Sequence, residues 1–164
     1  MLDWKKKRDE ADIVPGRRKK ALCLEGPRQV GKTWLADKFG EENYRIVVKI
    51  NVLAKTDMLI FDPFVKTHVL RGKEFWDQLL AAYSIAFVDS PETLVIIDEI
   101  QDNVFFYNSI RDILENCNFH LLISGNYLGS WIHLQKQGVF HSHWRFEHDC
   151  RERDKLPRVP EDCR

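Results

Sequence analysis

A chain of 164 residues is long enough to bury one hydrophobic core. Its 25 Lys and Arg balance 25 Asp and Glu, so no global field draws it to nucleic acid or an anionic membrane. No apolar run approaches the roughly 20 residues that span a bilayer. No apolar stretch follows the basic start as in a secretory signal, and the four cysteines form no CxxC pair, so the expectation is a reduced, cytoplasmic protein.

The first twenty residues are locally basic, with Lys5, Lys6, Lys7, Arg8, Arg17, Arg18, Lys19 and Lys20. They read as a solvated lead-in to the first strand, with a nucleic-acid-contacting arm as the alternative. Lys20 to Glu25 (KALCLE) is a short apolar run entering a glycine and predicts a strand. Lys32 to Phe39 predicts a helix with Leu35 and Phe39 on one face, and Gly40 stands where a terminating glycine belongs. Arg45 to Val52 is β-branched and predicts a second strand. Gly72 to Phe87 carries Phe75, Leu79, Leu80 and Tyr83 at helical spacing. Thr93 to Ile97 (TLVII) is apolar throughout, as in a strand buried on both faces. Val104 to Leu114 predicts a helix, and Phe119 to Ile123 another buried strand. Strands alternating with helices imply an α/β domain built on a mostly parallel sheet.

Gly26-Pro27-Arg28-Gln29-Val30-Gly31-Lys32-Thr33 matches G-x-x-x-x-G-K-[ST] without a mismatch and lies between a predicted strand and a predicted helix. A chance match in a chain of this length is on the order of one in a few hundred. Each fixed position has a chemical reason. Glycines let the backbone wrap an anion closely, and the helix after the loop turns its positive end to the phosphates. Lys32 is placed to reach the β- and γ-phosphates of a nucleoside triphosphate, most simply ATP, and the Thr33 hydroxyl to ligate Mg²⁺. A second element is Leu94-Val95-Ile96-Ile97-Asp98-Glu99, where two acids emerge at the carboxyl end of a buried strand. Asp98 is expected to hold Mg²⁺, directly or through water, and Glu99 to orient and polarise the attacking water. A third is Leu121 to Asn126 (LLISGN), which delivers Asn126, or failing that Ser124, to the same edge for contact with the γ-phosphate or the water.

KALCLEGPRQVGKTWL, LVIIDEIQD and LLISGNYLGS, in this order, resemble the prokaryotic AAA-type ATPases that carry a C-terminal domain of unknown function. The resemblance runs from about Trp4 to Ser130, and Tyr44 to Asn51 is similar to the family's second strand. It implies an AAA+ P-loop three-layer sandwich with strand order 5-1-4-3-2. It also implies Lys32 and Thr33 on phosphate and Mg²⁺, and Asp98 and Glu99 as a Walker B pair. Asn126 stands where the family usually has serine. Relatives of this class hydrolyse ATP between subunits, closed by an arginine finger and lid residues, so a homo-oligomer is implied for full-length forms.

Residues 131–164 change character, with four of the six histidines, two of the four cysteines and no clear periodicity. Three readings compete. His133, His141, His143, His148, Cys150 and Cys163 are potential metal ligands, but H-x-H and then H-x-C match no closed zinc pattern. The segment is otherwise a disordered terminus, or it is translated out of frame. Back-translating Phe140 to Arg164 and dropping one nucleotide permits SIPIGDLNTIVEREISFQEFLKIV, which is similar to the family's continuation. The expectation is therefore a nucleotide-binding domain over 1–130, incomplete and without a fifth strand, and then an aberrant tail over 131–164.

Overall fold

The computed structural model describes residues 1–13, 19–67 and 72–126, side chains of 12 and 67 excepted, and the backbone of 139–142. In chain order these form α1 (Leu2–Ile13), β1 (Ala21–Glu25), α2 (Lys32–Asn43), β2 (Ile46–Asn51), α3 (Lys55–Thr67), α4 (Lys73–Tyr83), β3 (Thr93–Asp98), a 3₁₀ turn (Ile100–Asp102), α5 (Val104–Asn116), β4 (His120–Gly125) and β5 (Val139–Ser142). The strands make one parallel sheet of order β2-β3-β4-β1-β5. Taken from its other edge, that is the 5-1-4-3-2 order.

Strand alternation divides the core into two layers. Ala21, Cys23, Val48, Ile50, Val95, Ile97, Leu121 and Ile123 face α3, α4 and α5, where Phe61, Trp76, Leu79, Phe106 and Ile110 meet them. Leu22, Leu24, Leu94, Ile96 and Leu122 face the other way, onto Trp4 of α1 and Ala36 and Phe39 of α2. Both faces of the sheet are thus covered, which is why its inner strands read as unbroken apolar runs. Burial pushes the Cys23 thiol up to about 12, so this cysteine is an inert core residue. No helix among the described residues is long and apolar enough to cross a membrane.

The structure corrects several expectations. Gly40 does not end its helix: α2 continues to Asn43, and Tyr44 caps it. A Cβ at Gly40 would lie 3.1 Å from Val47 Cγ2 and 3.3 Å from Leu94 Cδ2. The glycine is there to let α2 approach β2 and β3 closely. The basic start is not a solvated lead-in, because α1 buries Trp4, Arg8 and Ala11. Trp4 Nε1 donates to Lys20 O at 3.0 Å and Arg8 Nη2 to Phe119 O at 3.2 Å. Its lysines hide the apolar stripe from a composition-based reading. α3 went unpredicted although Met58, Phe61, Phe64 and Val65 recur at helical spacing, because Pro63 interrupts the pattern. Finally, the backbone of 139–142 supplies a fifth strand, pairing Ala21 with Val139 through Leu24 with Ser142. Pairing of this kind satisfies main-chain donors and acceptors along an open sheet edge and asks little of the side chains. The zinc and out-of-frame readings of the tail depend on side chains outside the described residues.

Candidate functional site

The carboxyl ends of β1, β3 and β4 lie side by side, so the segments that leave these three strands converge at one edge of the sheet. After β1 the chain turns through Gly26 to Gly31. Gln29 has φ 64° and Gly31 φ 87°, both left-handed, and α2 begins at the next residue. Glycine at 31 supplies that conformation without a Cβ penalty, and space around it is open. It brings no side chain to cap α2. The first amide groups of the helix therefore face the loop as unmet donors, the ordinary setting for an anion. Pro27, Arg28, Gln29 and Val30 are exposed, and it is their backbone that shapes the loop.

Lys32 folds back across this loop. Its Nζ donates to Gly26 O at 2.9 Å, to Pro27 O at 2.8 Å and to Asn126 Oδ1 at 2.9 Å. Those three bonds use the full donor capacity of an ammonium group. Thr33 Oγ1 donates to Asp98 Oδ2 at 2.8 Å, and the buried Ser124 hydroxyl donates to Asp98 Oδ1. Asp98 is itself buried at the end of β3. Glu99 comes next with φ 56°, and its Oε2 accepts from Asn126 Nδ2 at 3.3 Å and from Gln101 Nε2 at 2.7 Å.

Six of the side chains expected at the site stand within hydrogen-bond reach of another: Lys32 and Glu99 through Asn126, and Thr33 and Ser124 through Asp98. Three features were not foreseen. Ser124 acts on Asp98, while Asn126 joins Lys32 to Glu99. Gln101, read only as part of the DEIQD string, touches the Glu99 carboxylate directly. The DEIQD string carries Gln101 into the resemblance but not its role, because its reach depends on how the chain bends at Glu99.

The chain matches the family described as "AAA domain" over residues 18–136, nearly three-quarters of its length. The chain belongs to that AAA domain family. The match runs six residues beyond Ser130, where the expected domain boundary was set. A search of curated proteins returned no match. Among solved structures, the chain is similar to the Thermotoga maritima RuvB Holliday junction branch migration motor, with 18% identity and a TM-score of 0.44. Two point variants of that protein give 16% identity with a TM-score of 0.45 and 20% with 0.42. The first covers 86% of this chain and 43% of its own, so the AAA domain described here spans less than half the length of that structure. As an AAA domain, the chain has a nucleotide-binding α/β core built on a parallel sheet.

Proposed function

We propose that the loop from Gly26 to Thr33 binds ATP with Mg²⁺ and that Asp98, Glu99 and Asn126 complete a hydrolytic site. The single observation that supports this best is Lys32. A fully bonded ammonium group lies across an uncapped helix start, in contact with groups that a phosphate can replace one for one. Exchange of hydrogen bonds at an open edge is nearly neutral in free energy, so a multiply charged phosphate wins the lysine. The chemistry of the donor set fits Mg²⁺: Thr33 Oγ1 and Asp98 Oδ2 are hard oxygen donors 2.8 Å apart. Mg²⁺ sites on phosphates use one or two carboxylates, so the absence of a three-acid cluster among the described residues is no obstacle. Thr33 and Asp98 would hold the ion, which would neutralise phosphate charge when bound. Ser124 fixes the Asp98 carboxylate from its other oxygen. Glu99 orients a water and takes its proton as the water oxygen bonds to the γ-phosphorus, while the bond from that phosphorus to the β–γ bridging oxygen breaks and ADP leaves with the electron pair. Asn126 lies between Lys32 and Glu99, placed to report on the γ-phosphate.

Turnover in this reading belongs to an assembly of several copies, in which a neighbour's arginine completes the site. The chain alone binds nucleotide and turns it over slowly. The setting is cytoplasmic, in keeping with the buried, reduced thiols of Cys23 and Cys117. The nucleic-acid reading of the basic start is not favoured, because Arg8 is buried and Lys5 and Lys7 pair with Asp9 and Asp3.

Calorimetric titration with Mg-ATP tests the reading. Wild type binds, and Lys32→Ala loses at least about 100-fold in affinity, since charge-assisted contacts to phosphate are lost. Equal affinities would remove the phosphate loop from the account.

A further inference from the structure

At the end of β3 the chain turns through Glu99 with φ 56°, a left-handed conformation for a residue that carries a side chain. Such a backbone costs on the order of 1–3 kcal/mol and persists only where its surroundings hold it. Two residues hold it here. Ile100 is wholly buried in the core cluster under α5, which pins the 3₁₀ turn. Gln101 then clamps the acids on either side: its Nε2 donates to Glu99 Oε2 and to Asp102 Oδ2, each at 2.7 Å.

The orientation of that amide is fixed by its neighbours. Carboxylates only accept, so the nitrogen must face Glu99 and Asp102 and the oxygen must face away. Gln101 Oε1 is buried, and no hydrogen-bond donor among the described residues reaches it. A buried acceptor without a donor is costly, of order 1–3 kcal/mol, so the amide is held in place by the two carboxylates its nitrogen grips and not by its oxygen. The carboxylate that Gln101 grips is the one assigned to activating water.

We propose that Gln101 is a positioning residue for Glu99, whose amide nitrogen aims the carboxylate that orients the attacking water. The proposal rests on the ATPase reading above and adds a residue to it. An amide suits the task because its nitrogen donates to both carboxylates without adding a charge. A carboxylate at 101 keeps the acceptor, loses the donor and adds a like charge beside Glu99 and Asp102. A thioether keeps the volume and loses both. Among the described residues, Gln101 hydrogen-bonds to neither Lys32, Thr33 nor Asp98, so the grip on nucleotide does not pass through it.

The test needs no turnover. The full chain is titrated by calorimetry with Mg-ADP, and with Mg-ADP plus aluminium fluoride, which mimics the phosphoryl group in flight with its water in line. Wild type prefers the fluoride complex. Gln101→Met and Gln101→Glu keep Mg-ADP affinity within about twofold but lose roughly tenfold or more of that preference, the scale of a misplaced catalytic group. Gln101→Glu loses the more of the two, and Gln101→Asn retains part. Variants that keep the preference overturn the proposal, as does a parallel loss of Mg-ADP affinity, which marks a merely structural role. A wild type that binds Mg-ADP without preferring the fluoride complex also overturns it. A wild type that binds no Mg-ADP overturns instead the nucleotide reading on which the proposal stands.

Discussion

At the amino-terminal ends of the strands, polar side chains are tied to the backbone across the core. Trp4 donates to Lys20 O, Arg8 to Phe119 O and Lys19 to Cys117 O, while Asp89 accepts the amides of Asn118 and Phe119 at 2.6 and 3.0 Å. Tyr44 Oη and His120 Nδ1 lie 2.8 Å apart under α1. At the carboxyl ends, side chains are tied chiefly to one another, as Thr33 and Ser124 to Asp98, and Lys32 through Asn126 to Glu99. Both networks are partly buried and polar. What separates them is whether the bonds can be exchanged. A bond from a buried side chain to a core carbonyl is lost only with local unfolding. A bond between two side chains at an open edge can be replaced by a ligand's at little net cost. Removing a group at the first edge should cost stability, and at the second, binding or chemistry.

The largest expected effect sharpens the second half of that contrast. In a form of the chain that hydrolyses ATP, Glu99→Gln lowers turnover by about 10²–10⁴, the usual contribution of a general base. Its Mg-ATP affinity stays within about threefold of wild type. Steady-state turnover and calorimetry on the same preparation check this, and normal turnover would exclude Glu99 as the base.

Asp98→Asn comes next. It weakens nucleotide binding by roughly 10- to 100-fold in the presence of Mg²⁺, the range of losses when a metal site is damaged. Binding in EDTA should change far less. An equal loss in both conditions would mean that Asp98 serves the loop rather than the ion.

Asp89→Asn addresses the first half. Burial acts to raise the Asp89 pKa, but the Lys73 ammonium and the Asn118 and Phe119 amides outweigh it and hold the carboxyl below its usual range. A depressed folded value means that the stability it contributes is present above the unfolded pKa, near 4. That stability is lost as pH falls through the folded value. The substitution costs about 1–3 kcal/mol at neutral pH, as for hydrogen bonds to charged groups. Denaturant titrations should show that gap closing below about pH 4, with nucleotide affinity untouched. A gap that does not depend on pH would contradict the assignment.

Much of this contrast was legible in the sequence, and the reason differs between its two sides. The loop, Asp98 and Glu99 announce themselves because chemistry fixes residue type and spacing, whereas Asn126, read with Ser124 as its alternative, was marked only by the buried strand that leads to the same edge. The strands themselves were visible since a sheet covered on both faces needs apolar residues in unbroken runs. α1 was hidden because three consecutive lysines dominate its composition while Trp4 and Arg8 do the packing. α3 was hidden by Pro63. Gly40 misled because a glycine near a helix end has two physical uses, and only the 3.1 Å distance to Val47 separates close packing from termination. Gln101 stood in the DEIQD string but its role did not show: its contact with Glu99 exists only once the backbone adopts φ 56°.

Thermal unfolding with and without Mg-ADP, run on wild type, Lys32→Ala and Tyr44→Phe, tests the distinction between the two edges most directly. Ligand at about 100 times its Kd adds ~2.7 kcal/mol, a shift of about 5–10 °C for a chain of this size. Wild type should show that shift. Lys32→Ala should unfold within about 2 °C of wild type without ligand, because water at the open edge replaces its bonds, and gain nothing from Mg-ADP. Tyr44→Phe keeps its ring against Phe39 and His120 but loses the hydroxyl contact to His120, so it should start lower by about 1 kcal/mol and gain the full shift. A ligand shift retained in Lys32→Ala, or abolished in Tyr44→Phe, would contradict the account.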